Sequence, residues 1–278
     1  MKWTNPITIG VIVLIAGAFL WYVVGNSPAE PATSKRAQRE RTKRGKRDRP
    51  EDEKAVSFGE IKSLAEKELC GGHLVTFFCG CPFDSSKTVD IKACGYEPRD
   101  ADRITNHAVW KHIVSMKTAA RRLDCWKGKD PACSPPGGKR IKRRKCCERL
   151  RGPSEYTQMR NDLHNIVPVI REIHRQGRAC RPSEIEGEKR EFGACDFELV
   201  AENRIYEPAD SKKGDVARAY LYMVDTYKMR MKPENRRRML KWHEADPPDE
   251  WEKERNRRIK KLQKRGNPYI ESAEQEGV

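Results

Sequence analysis

The chain has ten cysteines in 278 residues but no Cys-x-x-Cys pair. Zinc knuckles and zinc ribbons need gaps of two or more residues between ligands to close a tetrahedron. The close pairs here are tighter, because Cys79 and Cys81 flank one residue and Cys146 and Cys147 are adjacent. The absence of two-residue gaps between paired cysteines argues against a structural zinc site. An even, high cysteine count instead predicts disulfide bonds, which persist in oxidising compartments.

Apolar residues are also scarce, at 37 % of the chain, and 41 Asp and Glu face 57 Lys and Arg. The low apolar fraction indicates that part of the chain is a solvated tail rather than core. The formal net charge of +16 favours a polyanionic partner: nucleic acid, an anionic membrane face or an acidic polysaccharide. Nothing in the sequence indicates a protein partner.

A long uncharged apolar run covers residues 7–24, between Lys2 and a Gly-Asn-Ser-Pro-Ala segment that ends at Ala29. A helix of this length, rising about 1.5 Å per residue, nearly spans the hydrocarbon core of a bilayer. Residues 1–25 are therefore predicted to be a signal anchor or a signal peptide. An anchor, in contact with the membrane through residues 7–24, is favoured because signal-peptide cores are usually shorter.

The charges and the cysteines disagree about topology. The basic residues that begin at Lys35 favour a cytoplasmic domain by the positive-inside tendency, whereas disulfide bonds favour an oxidising compartment. The cysteines receive more weight, because the basic run starts about ten residues beyond the apolar run. The predicted location is a membrane anchor with an extracytoplasmic domain. If the signal is cleaved, the protein is secreted or periplasmic.

Residues 26–55 are predicted to be a basic disordered linker, and residues 56–278 to be the folded domain. Nine basic and two acidic residues lie between Lys35 and Arg49 without periodic apolar positions, so this segment cannot bury enough surface to fold. Beyond it, apolar periodicity alternates between helical and strand-like, which predicts an α+β domain. Helices are expected over residues 57–69, 170–177, 215–231, 234–245 and 249–264, strands over 73–79, 88–91, 106–114 and 162–168, and a loop over 127–153.

Two histidines within this pattern are candidates for phosphate chemistry. The first strand-like stretch carries His112, and the short helix after the second stretch carries His174. Histidine can take a proton from water near neutral pH, and a divalent metal beside it can hold a phosphate. From spacing alone, a satisfied core histidine is the more frequent explanation of a lone histidine in an apolar strand.

Ordered motifs over about 190 residues indicate a known family. The motifs are FFCGC at residues 77–81, CGY at 94–96, WKHIV at 110–114, CW at 125–126, DLHNIVP at 162–168, ARAYLYM at 217–223, WEKER at 251–255 and NPYI at 267–270. With these motifs in this order from Phe77 to Ile270, the chain resembles the endonuclease I family of exported, disulfide-containing nucleases.

The resemblance implies a ββα-metal (His-Me finger) core with surrounding helices, stapled by disulfides. His112 matches the family's general base, which activates a water to attack a phosphodiester. The family's glutamate metal ligand is Lys111 here, and its helix asparagine, also a metal ligand, is His174. A divalent metal is expected: Mg²⁺, or Mn²⁺ or Zn²⁺ because imidazole suits softer metals. Lys111 is alternatively expected to contact the phosphate itself.

The predicted function is therefore that of a non-specific endonuclease that cleaves DNA, with RNA as an additional substrate class. The alternative is a catalytically degenerate, membrane-anchored protein that binds nucleic acid without cleaving it. Backbone contacts by basic side chains would carry affinity without base identity. The predicted nucleic-acid contacts are Lys111, Lys129, Lys139, Arg140, Arg143, Arg144 and Arg178.

Three cysteines exceed the family's pattern: Cys70, Cys180 and one of Cys146 or Cys147. They are expected to form new bridges around the basic loop of residues 127–153.

Overall fold

Two small β-sheets and a larger set of helices make up the part of the chain that the structure describes. The predicted α+β class is confirmed. None of the helices in the described ranges is long and apolar enough to cross a membrane. The predicted membrane segment 7–24 and linker 26–55 lie outside those ranges, and the domain boundary at residue 56 stays a prediction. The computed structural model describes residues 56–99, 106–150, 153–178, 180–187 and 189–275.

A capping box begins the first helix, α1 (Phe58–Leu64). The Ser57 hydroxyl accepts a hydrogen bond from the Glu60 N–H, and the Glu60 carboxylate accepts one from the Ser57 N–H. These two bonds satisfy N–H groups that have no partner inside the helix. The helix continues as a π-helical segment, Ala65–Leu69. The predicted helix over 57–69 is therefore confirmed.

Strand β1 (Ala108–His112) pairs antiparallel with strand β2 (Ile166–Ile170), with His112 opposite Ile166. Helix α6 (Arg171–Gln176) follows β2 directly. These three elements form the β-β-α unit. Between the two strands lie short helices that keep the intervening chain compact: α2 (Met116–Ala119), α3 (Asp124–Lys127), α4 (Arg144–Cys147) and α5 (Glu155–Asn161).

A second sheet has the order β3 (Arg181–Pro182), β5 (Ile205–Pro208), β4 (Phe197–Val200). The periodicity did not predict it, because its strands are only two to four residues long. Conversely, the prediction of strands over 73–79 and 88–91 is wrong. Those segments make only isolated bridges, such as Val75 to Pro82, because turns and disulfides interrupt the pairing.

The C-terminal helices surround this core. Helix α7 starts five residues earlier than the expected Asp215 and ends at Thr226 rather than Met231. Lys228 just beyond it has a positive φ of 50°, a backbone conformation that ends a right-handed helix. A final helix after Asn267 was not expected. The four helices are α7 (Asp210–Thr226), α8 (Pro233–Ala245), α9 (Glu250–Gln263) and α10 (Pro268–Gln275).

Four disulfide bonds confirm the predicted staples. Two close the basic loop of residues 127–153, and two hold the N-terminal turns of the described chain. New bridges around the basic loop were expected for Cys70, Cys180 and one of Cys146 or Cys147. Cys146 and Cys147 do form such bridges, but the expectation is wrong for Cys70 and Cys180, which are buried free thiols. The bonds join Cys79 to Cys195, Cys81 to Cys94, Cys125 to Cys147 and Cys133 to Cys146.

One buried ion pair connects α7 to α9. The Arg218 guanidinium is 1 % exposed and donates to both carboxylate oxygens of Glu252, at 2.7 and 2.5 Å. It also donates to the Asp246 carbonyl oxygen at 2.6 Å. Removing one member of a buried pair leaves the other charge unpaired in a medium of low dielectric constant. The pair therefore ties α7 to α9 in the interior of the protein.

We expect Arg218→Met to lower the free energy of unfolding by about 3–5 kcal/mol, since Glu252 loses its partner without leaving the core. Arg257→Met removes a cation paired with Glu254 on the exposed face of α9 and should change stability by about 0.5 kcal/mol or less. Urea titration of the oxidised protein measures both values. Equal losses of stability in the two variants would contradict the assignment.

Candidate active site

One hydrogen bond to the main chain orients the His112 imidazole at the end of β1. Its Nε2 lies 2.8 Å from the carbonyl oxygen of Arg160 in α5. A carbonyl oxygen only accepts hydrogen bonds, so Nε2 carries the hydrogen of the neutral ring and Nδ1 keeps its lone pair. Among the described residues, none is hydrogen-bonded to Nδ1. The ring is therefore set up as a proton acceptor at Nδ1.

The chain that follows His112 is held by the side chain of Asn165. The Asn165 amide accepts from the Val114 N–H at 2.7 Å and donates to the Val114 carbonyl at 3.0 Å. The Ile113 N–H donates to the Asn165 carbonyl at 3.0 Å. Asn165 is completely buried, so water does not compete for these bonds. They keep His112 at a defined place relative to β2.

An aromatic ring from α1 packs on the His112 imidazole. The Phe58 ring is stacked on it with 5.0 Å between centroids and 17° between planes. The Arg160 guanidinium lies 5.0 Å from the centre of the same Phe58 ring. Sequence patterns predicted neither partner of the His112 ring, the Phe58 side chain or the Arg160 carbonyl. Phe58 is an ordinary apolar residue after a helix cap, and a backbone carbonyl has no residue identity to recognise.

Burial makes the His112 ring reluctant to take a charge. It lowers the pKa of His112 to about 4, opposed by the hydrogen bond to Arg160 and reinforced by the positive charges of Arg160, Lys111 and His174. Below its folded pKa the ring would be protonated and would lose its acceptor. At neutral pH it is therefore an uncharged base.

Lys111, the residue before His112, is a buried ammonium at 7 % exposure. Its Nζ donates to the Gly177 carbonyl oxygen, 3.0 Å away, at the end of α6. An ammonium has three N–H donors, so this bond uses one of them. No carboxylate of the described chain forms an ion pair with Lys111. Burial lowers the pKa of Lys111 to about 8, so the group is still largely charged at neutral pH.

His174 on α6 is half-buried and belongs to the same electrostatic cluster. Burial lowers its pKa, and the charges of Lys111 and Arg178 lower it further. Arg178 is exposed just after the helix. The structure therefore brings together four of the predicted site residues, and all of them are cationic or protonatable.

The carboxylate of Glu172 on α6 is hydrogen-bonded to two neighbouring side chains. Glu172 is 4 % exposed and accepts from the Tyr96 hydroxyl at 2.7 Å and from the Gln176 amide at 2.8 Å. Both of its oxygens therefore have partners that fix the helix on the core. Among the described residues, the Glu172 carboxylate forms no ion pair with Lys111 or Arg178.

The described residues do not provide the ligand set of a divalent metal. Within them, no three His, Cys, Asp or Glu side chains come together at a candidate metal site. Around His112, His174 is a single imidazole and Lys111 is a cation that would repel a metal. Hard cations require several oxygen ligands. The donor set therefore does not fit Mg²⁺ at this place, and the role of His174 as a metal ligand stays a prediction.

The remaining predicted contacts are exposed side chains on or beside the disulfide-stapled basic loop. Glu148 links this loop to the site, because its carboxylate pairs with Arg144 at 3.8 Å and with Arg160 at 3.1 Å. Arg160 in turn holds His112 through its carbonyl. The loop residues concerned are Lys129, Lys139, Arg140, Arg143 and Arg144.

A second cationic surface was not predicted from the sequence. A groove of about 1160 Å³ is lined by ten basic residues and one acidic residue, Glu234. The Cys180 thiol lies within electrostatic range of Lys111 as well as of two groove arginines, so part of the groove is near the site. Its basic residues come from three separate parts of the chain, residues 117–127, 181–204 and 228–238. The basic groove is defined by six exposed cations without a carboxylate partner in the described chain: Lys117, Arg121, Arg181, Arg204, Lys228 and Arg230.

The chain is similar to known nucleases. The family model described as Endonuclease I matches residues 83–274. An extracellular deoxyribonuclease of Aeromonas hydrophila is 35 % identical over 203 residues, which are 72 % of this chain and 82 % of that protein. A periplasmic deoxyribonuclease of the same organism is 34 % identical over 223 residues, 79 % of this chain and 87 % of that protein. Endonuclease-1 of Buchnera aphidicola is 28 % identical over 227 residues, 78 % and 83 % of the two chains.

We expect Phe58→Ala to raise the pKa of the His112 imidazole from about 4 towards its ordinary value of about 6.5, because water reaches the uncovered ring and solvates its charged form. NMR titration of the histidine ring carbons measures this shift. Phe58→Leu retains an apolar cover and should leave the pKa near its wild-type value. An unchanged pKa in Phe58→Ala would show that Phe58 does not exclude water from the ring.

Proposed function

Because the chain belongs to the endonuclease I family, we propose that it is an endonuclease that hydrolyses phosphodiester bonds of DNA without strong sequence preference, with RNA as an additional substrate class. The observation that carries this proposal is the His112 ring, which is held by the Arg160 carbonyl, uncharged at neutral pH and unbonded at Nδ1. A neutral imidazole with a fixed free lone pair suits general base catalysis.

The reaction uses His112 to activate water. As the water oxygen attacks phosphorus, one of its protons passes to Nδ1 of His112. A bond from water oxygen to phosphorus forms, and the bond to one ester oxygen breaks. The departing oxygen takes a proton from solvent, and the His112 proton returns to solvent. The Nε2–H bond to Arg160 supports the transient imidazolium, because a carbonyl dipole favours the charged ring.

We also propose that the β-β-α unit is the ββα-metal motif of the family. Nucleases of this family generally use a divalent metal, which supplies positive charge to the phosphate and the leaving oxygen. The position of His112 on the first strand and His174 on the helix supports the match. The donor set around them, with Lys111 in place of a carboxylate, does not fit such a metal, so no catalytic step here is assigned to it.

Substrate binding is assigned to the basic groove and the basic loop. Both surfaces carry exposed arginine and lysine side chains, which contact phosphates without distinguishing bases. The buried ends of the loop are fixed by two disulfide bonds, so its cations keep their positions at a low cost in conformational entropy. This arrangement supports binding that depends on salt and is insensitive to sequence.

An exported location is part of the proposal. Two of the similar proteins are named extracellular or periplasmic deoxyribonucleases. The four disulfide bonds support an oxidising compartment. The predicted anchor at residues 7–24 remains a prediction, with cleavage of the signal as its alternative.

His112→Ala should reduce plasmid nicking by about 100-fold or more, the usual contribution of a positioned general base. Supercoiled, relaxed and linear forms are separated on agarose gels over time. His107→Ala removes a histidine of the same segment from outside the site and should retain activity. A binding-only protein would instead show no nicking in the wild type and unchanged DNA affinity in His112→Ala.

The triple variant Arg121→Ala, Lys228→Ala, Arg230→Ala should reduce the slope of log affinity against log salt by about 0.9 for each phosphate that it no longer neutralises. The measurement uses fluorescence anisotropy with labelled duplex DNA on the His112→Ala background, where the DNA stays intact. The matched triple variant of Lys67, Lys92 and Lys261 removes the same charge elsewhere. Equal slopes for the two triples would contradict a specific role of the groove.

A further inference from the structure

We infer that the ammonium of Lys111 binds a non-bridging oxygen of the scissile phosphate, with His174 beside it, so that this nuclease works without a divalent metal. This inference rests on the proposed function and assigns the source of positive charge at that same site. It departs from the general behaviour of the family, in which a metal supplies that charge.

The buried ammonium carries an unbalanced charge. Lys111 is 7 % exposed, it has no carboxylate partner in the described chain, and its single hydrogen-bond acceptor there is the Gly177 carbonyl. A buried charge without a counter-charge is costly. A phosphate oxygen would supply both the missing negative charge and an acceptor for the remaining N–H donors.

Lys111 also belongs to the electrostatic cluster that surrounds the base. It directly precedes the base, and the charges of Lys111 and His174 both act on the His112 ring. Lys111 likewise acts on His174. A phosphate that His112 can reach through a water therefore meets an ammonium and an imidazole in the same cluster. Fixed positive groups of this kind stabilise charge that develops on the phosphate oxygens.

The fold secures the position of Lys111. The carbonyl at the end of α6 orients Nζ, and the negative end of a helix dipole favours a cation. A Cβ at Gly177 would crowd the Ile173 carbonyl oxygen at 2.9 Å but would stay in ordinary contact with Nζ at 3.8 Å, so Lys111 packs directly against the end of α6. The ammonium is therefore held in place before substrate arrives.

A purely structural role for Lys111, closing the end of α6, is the rival explanation. It predicts that Lys111 variants lose stability and that added metal makes no difference to them. The phosphate-binding role predicts a change in metal requirement, which helix closure cannot produce. The decisive variant is Lys111→Glu, which places a carboxylate where the resemblance to the family implies a metal ligand.

The experiment is plasmid nicking by the oxidised full-length protein, first in excess chelator and then after dialysis with Mg²⁺ or Mn²⁺. We expect the wild type to be equally active in both. Lys111→Met should lose about 100-fold or more, as for other groups that stabilise transition-state charge, and metal should not restore it. Lys111→Glu should be inactive in chelator and regain activity with metal. Lys92→Met, an exposed lysine outside the site, should behave as the wild type.

Metal binding gives a readout that does not depend on activity. Titration of Mn²⁺ followed by electron paramagnetic resonance should show no site in the wild type and one site in Lys111→Glu. Circular dichroism and DNA affinity on the His112→Ala background verify that each variant is folded. The Mn²⁺ titration remains informative even if Lys111→Met fails to fold, because it compares the wild type only with Lys111→Glu.

The outcomes separate the two proposals. A wild type that nicks DNA only with added metal overturns the role of Lys111 and leaves the nuclease intact, with His174 as the candidate ligand. A wild type that is inactive under all conditions overturns both. Nicking in chelator by Lys111→Met at the wild-type rate overturns the role of Lys111 alone.

Discussion

The site depends on the hydrogen bond that joins the His112 ring to the carbonyl of Arg160. This bond selects the tautomer, aims Nδ1 away from the main chain and ties β1 to α5. Asn165 and Phe58 support it, one by clamping the chain after His112 and the other by covering the ring. If the His112 ring rotated, Nδ1 would no longer be oriented to accept a proton, even though every side chain of the site would still be present.

The second constraint is the sign of the charges around this ring. Lys111, His174 and Arg178 carry or can carry positive charge, and the acid of the helix that holds His174, Glu172, is engaged by Tyr96 and Gln176. The Arg160 guanidinium is also nearby, but Glu148 pairs with it. Positive charges placed close together repel one another, and an anion bound among them replaces this repulsion by attraction. The composition of this cluster therefore points to a phosphate, whichever group supplies catalytic charge in addition.

Much of the local structure was predictable because it depends on local patterns. The strand that ends at His112, the short helix with His174 and the long C-terminal helices follow apolar periodicity. The strands expected over 73–79 and 88–91 failed because two disulfides and the turns between them override β propensity. The bridges around the basic loop expected to include Cys70 and Cys180 failed for these two cysteines, because the count of cysteines says nothing about their distance in the fold.

The sequence by itself determined most of the longer helices and the strand with His112, the disulfide-rich character, the excess of positive charge and, through ordered motifs, His112 as the candidate base. Only the tertiary structure decided what His112 and Lys111 touch. Their partners are carbonyl oxygens of Arg160 and Gly177, which lie 48 and 66 residues away along the chain. A carbonyl is the same in every residue, so no sequence pattern reveals which one a side chain will meet. The basic groove is likewise a product of folding, because its cations come from separate elements and become neighbours only when those elements pack.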